Sequence, residues 1–289
     1  MTKRIVIFAA FNRGKQIDDY VIYYLNGLKK VADKIIYVAD NNPSEAYEQQ
    51  LKGLADIAIF EKHGEYDFGS WKRGFAAAVQ NNWLDDADQL VLCNDSCYAP
   101  AFPFAEMFAA MEQKHVDFWG ITKNCTGIIE HIQSYFLVFE PQVFKTELLA
   151  NFFRSVRAEK CFWDVVSHYE VGLSRLLIEQ GHFTFDVYCP IKAGRHDASK
   201  LGTKLLKVRC PLYKRKIFTR GGFAECSKFL LIHNMPNQAI KQFMQHDYWA
   251  FFKERWVYSI KRFLWQSKTT KSGKHLIKIC RIPLWSSSK

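Results

Sequence analysis

The feature that most constrains the fold is the stretch at residues 89–100, QLVLCNDSCYAP. Its apolar run, Leu90-Val91-Leu92-Cys93, has the composition of a strand buried on both faces. The run stops at Asn94-Asp95-Ser96, and Pro100 soon bars a return to regular structure. Open α/β sheets bind their ligands outside the carboxyl ends of the strands. A carboxylate at that point can hold a divalent cation, Mg2+ or Mn2+, and through it a diphosphate. Asp95 and Ser96 can equally serve as caps for the next helix.

The rest of the chain supplies a sheet for this strand. Residues 3–11 (KRIVIFAAF), 34–39 (KIIYVA) and 56–60 (DIAIF) read as strands. Between the first two, Val21, Tyr24, Leu25 and Leu28 recur at helical spacing, and residues 44–54 form a polar helix before the third. This alternation predicts a parallel sheet covered on both faces. Further strands are expected at 117–121 and 133–139, with an edge strand at 183–188. Helices are expected at 104–113, 144–156 and 169–180, the last ended by Gly181 and carrying Glu170 in its first turn.

Composition narrows the classes. The chain has 289 residues, 48% of them hydrophobic and 16% aromatic, which excludes pervasive disorder. No apolar run reaches the ~18 residues of a spanning helix, and the N-terminus reads as a first strand rather than a signal peptide. The eight cysteines form no CxxC pair, so free thiols in a reducing cytoplasm are expected rather than a zinc ribbon.

The net charge of +11 is unevenly spread. Residues 192–220 carry ten Lys and Arg against Asp197 alone, and residues 241–289 carry eleven against Asp247 and Glu254. The first 191 residues are therefore net acidic, and the basic C-terminal third calls for an anionic partner. Trp249, Phe252, Trp256, Ile260 and Phe263 share one helical face flanked by Lys253, Arg255, Lys261 and Arg262. Such a helix, over residues 245–265, suits an anionic membrane surface, and it can also pack on the main domain. No nucleic-acid module is present, and nucleic acid is not an expected partner.

Several motifs in fixed order carry a family resemblance. They are Tyr66-Asp67-Phe68-Gly69-Ser70-Trp71-Lys72, Leu92-Cys93-Asn94-Asp95-Ser96, Asp117-Phe118-Trp119-Gly120, His131-Ile132-Gln133-Ser134-Tyr135-Phe136 and Tyr169-Glu170-Val171-Gly172. Over residues 3–235 the chain resembles the rhamnan synthesis protein F family, with glycosyltransferases of the GT-A type. The resemblance implies a GT-A-like, Rossmann-like mixed sheet flanked by helices at 1–235; residues 236–289 fall outside it and read, from their own pattern, as a basic amphipathic helical extension. It implies a bacterial transferase that moves rhamnose or a related deoxysugar from a nucleoside-diphosphate sugar to a lipid-linked or growing surface glycan, such as lipopolysaccharide O-antigen, rhamnan or capsule. The place of such work is the cytoplasm, at the inner face of the membrane. One departure stands out: Asn94-Asp95-Ser96 offers a single Asp where GT-A metal motifs have two.

The site follows from this. Asp95 is expected to hold the cation, with His196 as a second ligand and His233 as a weaker candidate, since GT-A folds complete their metal shell with a late His. Glu170 is the expected catalytic base, because inverting GT-A enzymes place an acidic residue at a helix start after the acceptor strands; Asp164 is the alternative. Donor contacts are expected from Asp40, Asp67, Lys72, Asn94, Asp95 and Ser96, and acceptor-side contacts from Gln133, Ser134 and Tyr135. Each has a structural alternative: a turn at Asp40, a cap at Asp67, a dipole partner at Glu170, core packing at Tyr135. Three other functions compete. A non-catalytic scaffold of a polysaccharide assembly complex would not need Asp67, Asp95 and Glu170 together. A nucleotidyltransferase would show a Gly-rich loop where AAFNRGK has one Gly. A nucleic-acid binder has charge alone in its favour.

Overall fold

The computed structural model describes residues 2–124, 130–190, 202–217, 237–269, 275–279 and 282–287, with side chains beyond residue 250 described at Lys253 alone. His196, His233 and the side chains of the expected membrane face beyond Trp249 lie outside the described residues.

The chain runs β1 (Arg4–Ala10), α1 (Asp19–Leu28), β2 (Lys34–Ala39), α2 (Glu45–Leu51), β3 (Ile57–Phe60), α3 (Tyr66–Gln80), β4 (Gln89–Asn94), β5 (Cys97–Tyr98) and α4 (Phe104–Glu112). Then come β6 (Phe118–Gly120), β7 (Lys123–Asn124), β8 (His131–Ile132), β9 (Phe136–Phe139), α5 (Pro141–Phe144) and α6 (Glu147–Ser155). A long helix, α7, spans 162–180, and its α-helical start, Phe162–Val165, gives way to a π-helical turn, Val166–Val171. β10 (Phe185–Val187), α8 (Gly202–Lys207), β11 (Tyr213–Lys214) and α9 (Gln238–Leu264) follow, then a small antiparallel sheet of β12 (Trp265–Thr269), β13 (His275–Ile279) and β14 (Ile282–Ser287).

The main sheet has seven strands in the order β10-β6-β9-β4-β1-β2-β3. Every neighbouring pair is parallel except the two that involve β9. The expected GT-A-like class, a mixed sheet flanked by helices, is what the chain forms. Alternation along β1 builds both cores. Val6, Phe8 and Ala10 join Tyr24, Tyr37 and Phe104 on one face, while Ile5, Ile7 and Ala9 join Trp71, Phe75 and Leu92 on the other. Gly74 lets α3 lie hard against β1: a Cβ there would stand 2.2 Å from Ile7 Cγ2. Trp71 is core, and its indole donates to the Cys93 carbonyl at 3.0 Å.

Two expectations change. Asp95 and Ser96 cap no helix: α4 begins only at Phe104, and the intervening chain pairs as β5 with β11. Glu170 is not in a first turn. The helix starts at Phe162, because Phe162–Val165 continues into the predicted amphipathic segment without a break, so the N-terminal dipole no longer accounts for this carboxylate.

The first turns of α9 belong to the main domain. Ile240, Met244 and Tyr248 are buried in the same core as Phe8 and Tyr98, and Phe243 meets the Tyr23 ring at 5.8 Å. Trp249 is 61% exposed. Among the described residues, no helix is long and apolar enough to cross a membrane.

Candidate active site

The strand order reverses between β1 and β4: β2 and β3 lie to one side, β9, β6 and β10 to the other. The carboxyl ends of those two parallel strands therefore open a crevice. Asp95 stands one residue past β4, and its Oδ2 accepts the N–H of Phe11, one residue past β1, at 3.0 Å. Tyr20 of α1 donates its hydroxyl to the Asp95 carbonyl at 2.9 Å.

Asp67, in the first turn of α3, joins the same crevice. Its Oδ2 accepts Asn94 Nδ2 at 2.7 Å, while Asn94 Oδ1 accepts the Ser96 hydroxyl at 2.5 Å. The β5–β11 pair sets Lys214 opposite Cys97. That brings Lys214 Nζ within 3.0 Å of Ser96 Oγ and 4.4 Å of the Tyr135 ring centroid. Arg215 follows, donating its N–H to the Ser96 carbonyl at 2.9 Å and its guanidinium to the Tyr20 hydroxyl at 2.7 Å and to Asp247 at 2.8 Å.

Glu170 lies on the π-helical turn of α7, a device that recurs at functional sites. Ser134 donates to its Oε2 through both backbone N–H, at 2.8 Å, and hydroxyl, at 2.6 Å. His131 Nε2 is 3.7 Å from Oε1, longer than a hydrogen bond. The His131 side chain is only 7% exposed, yet neither ring nitrogen has a hydrogen-bond partner among the described residues.

The electrostatics tie these groups together. Burial, reinforced by the charge of Asp67, pushes the Asp95 carboxyl up to about 7. Burial also raises Asp67, aided by Glu170 and opposed by Lys214 and the Asn94 amide. Burial alone would raise Glu170, but His131, Ser134 and Lys214 outweigh it and hold that carboxyl below the usual range. The crevice thus sets one carboxyl held below its usual range beside two that burial pushes above theirs.

Such a pair suits a divalent cation. Asp95 Oδ1 and Asp67 Oδ1 make no hydrogen bond among the described residues. No group of three or more potential His, Cys, Asp or Glu ligands occurs among them either. Mg2+ in phosphate chemistry characteristically takes one or two carboxylates and draws its other ligands from water and the phosphates, so the two Asp fit the ion.

The structure thus brings together Asp67, Asn94, Asp95, Ser96, Ser134 and Glu170. Asp40 is placed differently: its Oδ1 accepts the N–H groups of His63 and Gly64 at 2.9 and 3.1 Å, which clamps the loop before α3. Lys72 donates to the Val156 carbonyl at 2.7 Å, away from the crevice residues. Gln133 and Tyr135 are buried beneath the site, both bonded to Thr122 Oγ1 at 2.8 Å. Sequence reasoning missed Lys214, Arg215, His131, Tyr20 and Phe11 as site residues. The run Lys214-Arg215-Lys216 was visible as part of the basic segment, but nothing local shows that β11 folds back on the acidic strand.

A reversed-order α/β sheet with an acidic crevice at the reversal defines a nucleotide-binding fold of GT-A-like class. The chain belongs to the rhamnan synthesis protein F family, whose model matches residues 35–265. The match runs on past residue 235, where the resemblance in the sequence was expected to end. This membership supports a glycosyltransferase of polysaccharide synthesis. No curated protein matches the chain. Solved structures with a similar fold include a protein assigned as a nucleotide-diphospho-sugar transferase from Desulfovibrio desulfuricans, at 16% identity over 84% of this chain and 99% of that one, TM-score 0.40. A glycosyltransferase involved in glycosylating the major capsid of PBCV-1 gives 9% identity over 85% and 100%, TM-score 0.39. Core-mannan synthase A from Aspergillus fumigatus, in a Mn/GDP form, gives 9% over 53% and 63%, TM-score 0.31.

Proposed function

We propose that this chain transfers rhamnose or a related deoxysugar from a nucleoside-diphosphate sugar to a lipid-linked or growing surface glycan, with inversion. The observation that carries the reading is the convergence of Asp67, Asn94, Asp95, Lys214 and Glu170 on one crevice. In that displacement an acceptor hydroxyl oxygen bonds to the anomeric carbon as the bond to the diphosphate breaks. Glu170, ionised at neutral pH, takes the hydroxyl proton, and Ser134 holds the carboxylate in place. Lys214 offsets charge growing on the leaving diphosphate. A divalent cation held by Asp95 and Asp67 would supply further neutralisation of that group. Phe11, 47% exposed with Lys62 Nζ 4.9 Å from its ring, offers a stacking face for the donor base.

Placement at the inner face of the cytoplasmic membrane, through residues 245–265, is part of the same proposal. The basic surplus of residues 241–289 and the exposed Trp249 support it.

The test is donor binding and slow donor hydrolysis across a panel of nucleoside-diphosphate sugars, with and without Mn2+ or Mg2+, beside Asp95→Ala. One donor bound by the wild type and lost in the variant supports the transferase. Silence across the panel from folded protein sinks it.

A further inference from the structure

Three of the most exposed large apolar side chains among the described residues form one group. Trp163 is 74% exposed, Phe162 54% and Tyr66 45%. The Tyr66 and Phe162 ring centroids are 6.2 Å apart, tilted by 59°, and Phe162 and Trp163 are 5.8 Å apart at 65°. They form a stepped aromatic ledge rather than a closed cluster. Tyr66 has φ 56°, a left-handed backbone that a bulky residue seldom adopts and that is kept where function requires it.

The ledge is built on the same two helices that carry crevice residues. Tyr66 precedes Asp67, and Phe162 and Trp163 begin the helix that carries Glu170. The same two helices touch again further in, where the Phe68 and Tyr169 rings are 5.5 Å apart. So the Tyr66–Phe162 contact lies outside and the Phe68–Tyr169 contact inside, and their sequence neighbours Asp67 and Glu170 are close enough for the charge of Glu170 to raise Asp67. By the helical rise Phe162 is about 12 Å along α7 from Glu170, a span longer than one sugar ring.

The surroundings select the occupant. Glu159 is held ionised by His168 and Tyr169, and Asp164 sits in the first turn beside Trp163. Arg157 and Lys160 lie in the same stretch, so the ledge is close to neutral overall and offers no net charge to hold an anionic bilayer or a phosphorylated partner. Exposed aromatic faces with carboxylates beside them suit a neutral polyhydroxylated ligand, whose C–H faces stack on rings while its hydroxyls donate to oxygens.

We infer that Tyr66, Phe162 and Trp163 are the acceptor subsite, a stacking ledge for a neutral oligosaccharide whose terminal hydroxyl then reaches Glu170. The inference rests on the transferase reading for the identity of the acceptor, and its ledge is tested without any donor.

The probes are neutral oligosaccharides built on rhamnose, glucose or galactose, titrated by calorimetry into the full chain. The wild type is expected to bind at least one. Trp163→Ala is expected to weaken that binding about two- to tenfold, the worth of one aromatic contact, and Trp163→Ala with Phe162→Ala further. Tyr66→Asn, which tolerates the left-handed backbone, is expected to weaken it similarly. Val79→Ala, an equally exposed apolar site at the far end of α3, is expected to leave it unchanged. Thermal melts report that the variants are folded. Wild-type binding to none of the saccharides, binding indifferent to all three ledge substitutions, or ledge-dependent binding to phosphatidylcholine vesicles instead would overturn the inference. Donor binding is a separate measurement; its failure removes the transferase reading and leaves saccharide binding at the ledge standing.

Discussion

Ser134 gives both its backbone N–H and its hydroxyl to a single oxygen of Glu170, at 2.8 and 2.6 Å. Two donors on one oxygen favour the charged carboxylate and leave Oε1 toward His131. Glu170→Gln is expected to lower kcat by about 10²–10⁴, the usual worth of a general base, while donor affinity is retained. Ser134→Ala removes one donor to the ionised form, so Glu170 should rise toward the ordinary glutamate value. Because the base works deprotonated, the acid limb of the kcat/KM profile should move to higher pH. An unmoved limb would take the base role away from Glu170 and toward Asp164.

Asp95 carries the clearest pH signature. Its folded value of about 7 lies above the ordinary 3.8, so between those values the native state holds a proton that the unfolded chain has released. The stability this contributes is complete below the ordinary value and is lost as pH rises through about 7, at up to about 1.4 kcal/mol per pH unit. Asp95→Asn should flatten that dependence. In urea melts at pH 5, 6.5 and 8, the wild type should weaken toward pH 8 more than the variant does. Mn2+ should restore the wild type at pH 8 and do little at pH 5, where a proton already occupies the site. A cation response that Asp95→Asn retains would place the ion elsewhere.

Lys214 reaches the site only because β11 pairs with β5. Its ammonium favours the ionised forms of both Asp67 and Glu170 and bonds Ser96. Lys214→Met should weaken binding of a nucleoside diphosphate about tenfold, within the range for losing one charge-assisted hydrogen bond. It should also reduce the salt dependence of that binding, read by calorimetry at two ionic strengths. Equal loss at low and high salt would mean that Lys214 acts by packing on Tyr135.

The sheet was readable in the sequence because its strands are apolar runs between turn residues. Leu90–Cys93 and Ile5–Phe8 are buried on both faces, so no register slip could make them amphipathic. The carboxyl-end position of Asp95 followed from the same logic. What stayed hidden depended on contacts distant in the chain. Asp40 reads as a site residue from its place after β2, yet His63 and Gly64 take its carboxylate, and that loop conformation has no local signature. Glu170 could be singled out in the sequence as a candidate, but the π-helical turn beneath it could not, since its spacing differs from an α-helix by less than the apolar pattern resolves. Lys214 lay in a charge run, which normally means a solvated face.

A boundary between 235 and 236 would leave α9 as an appendage, but Ile240, Met244 and Tyr248 fill the core beside Tyr98. Asp247 also pairs with Arg215 at 2.8 Å and accepts the Tyr98 hydroxyl. Burying each large apolar side chain contributes about 1.5–3 kcal/mol, so losing all three removes much of the roughly 5–15 kcal/mol that holds a typical domain. Truncation after residue 235 should therefore yield an unstable protein, whereas truncation after residue 250 keeps these contacts and should stay folded. Asp247→Asn is the milder probe: it removes the charge that Asp247 sets against the partly buried Arg215 and should cost about 1–3 kcal/mol, read in urea melts. Equal melting of the 235 truncation and the full chain would show that α9 adds nothing to the domain, and the observed burial of Ile240 and Met244 would then have to be energetically idle.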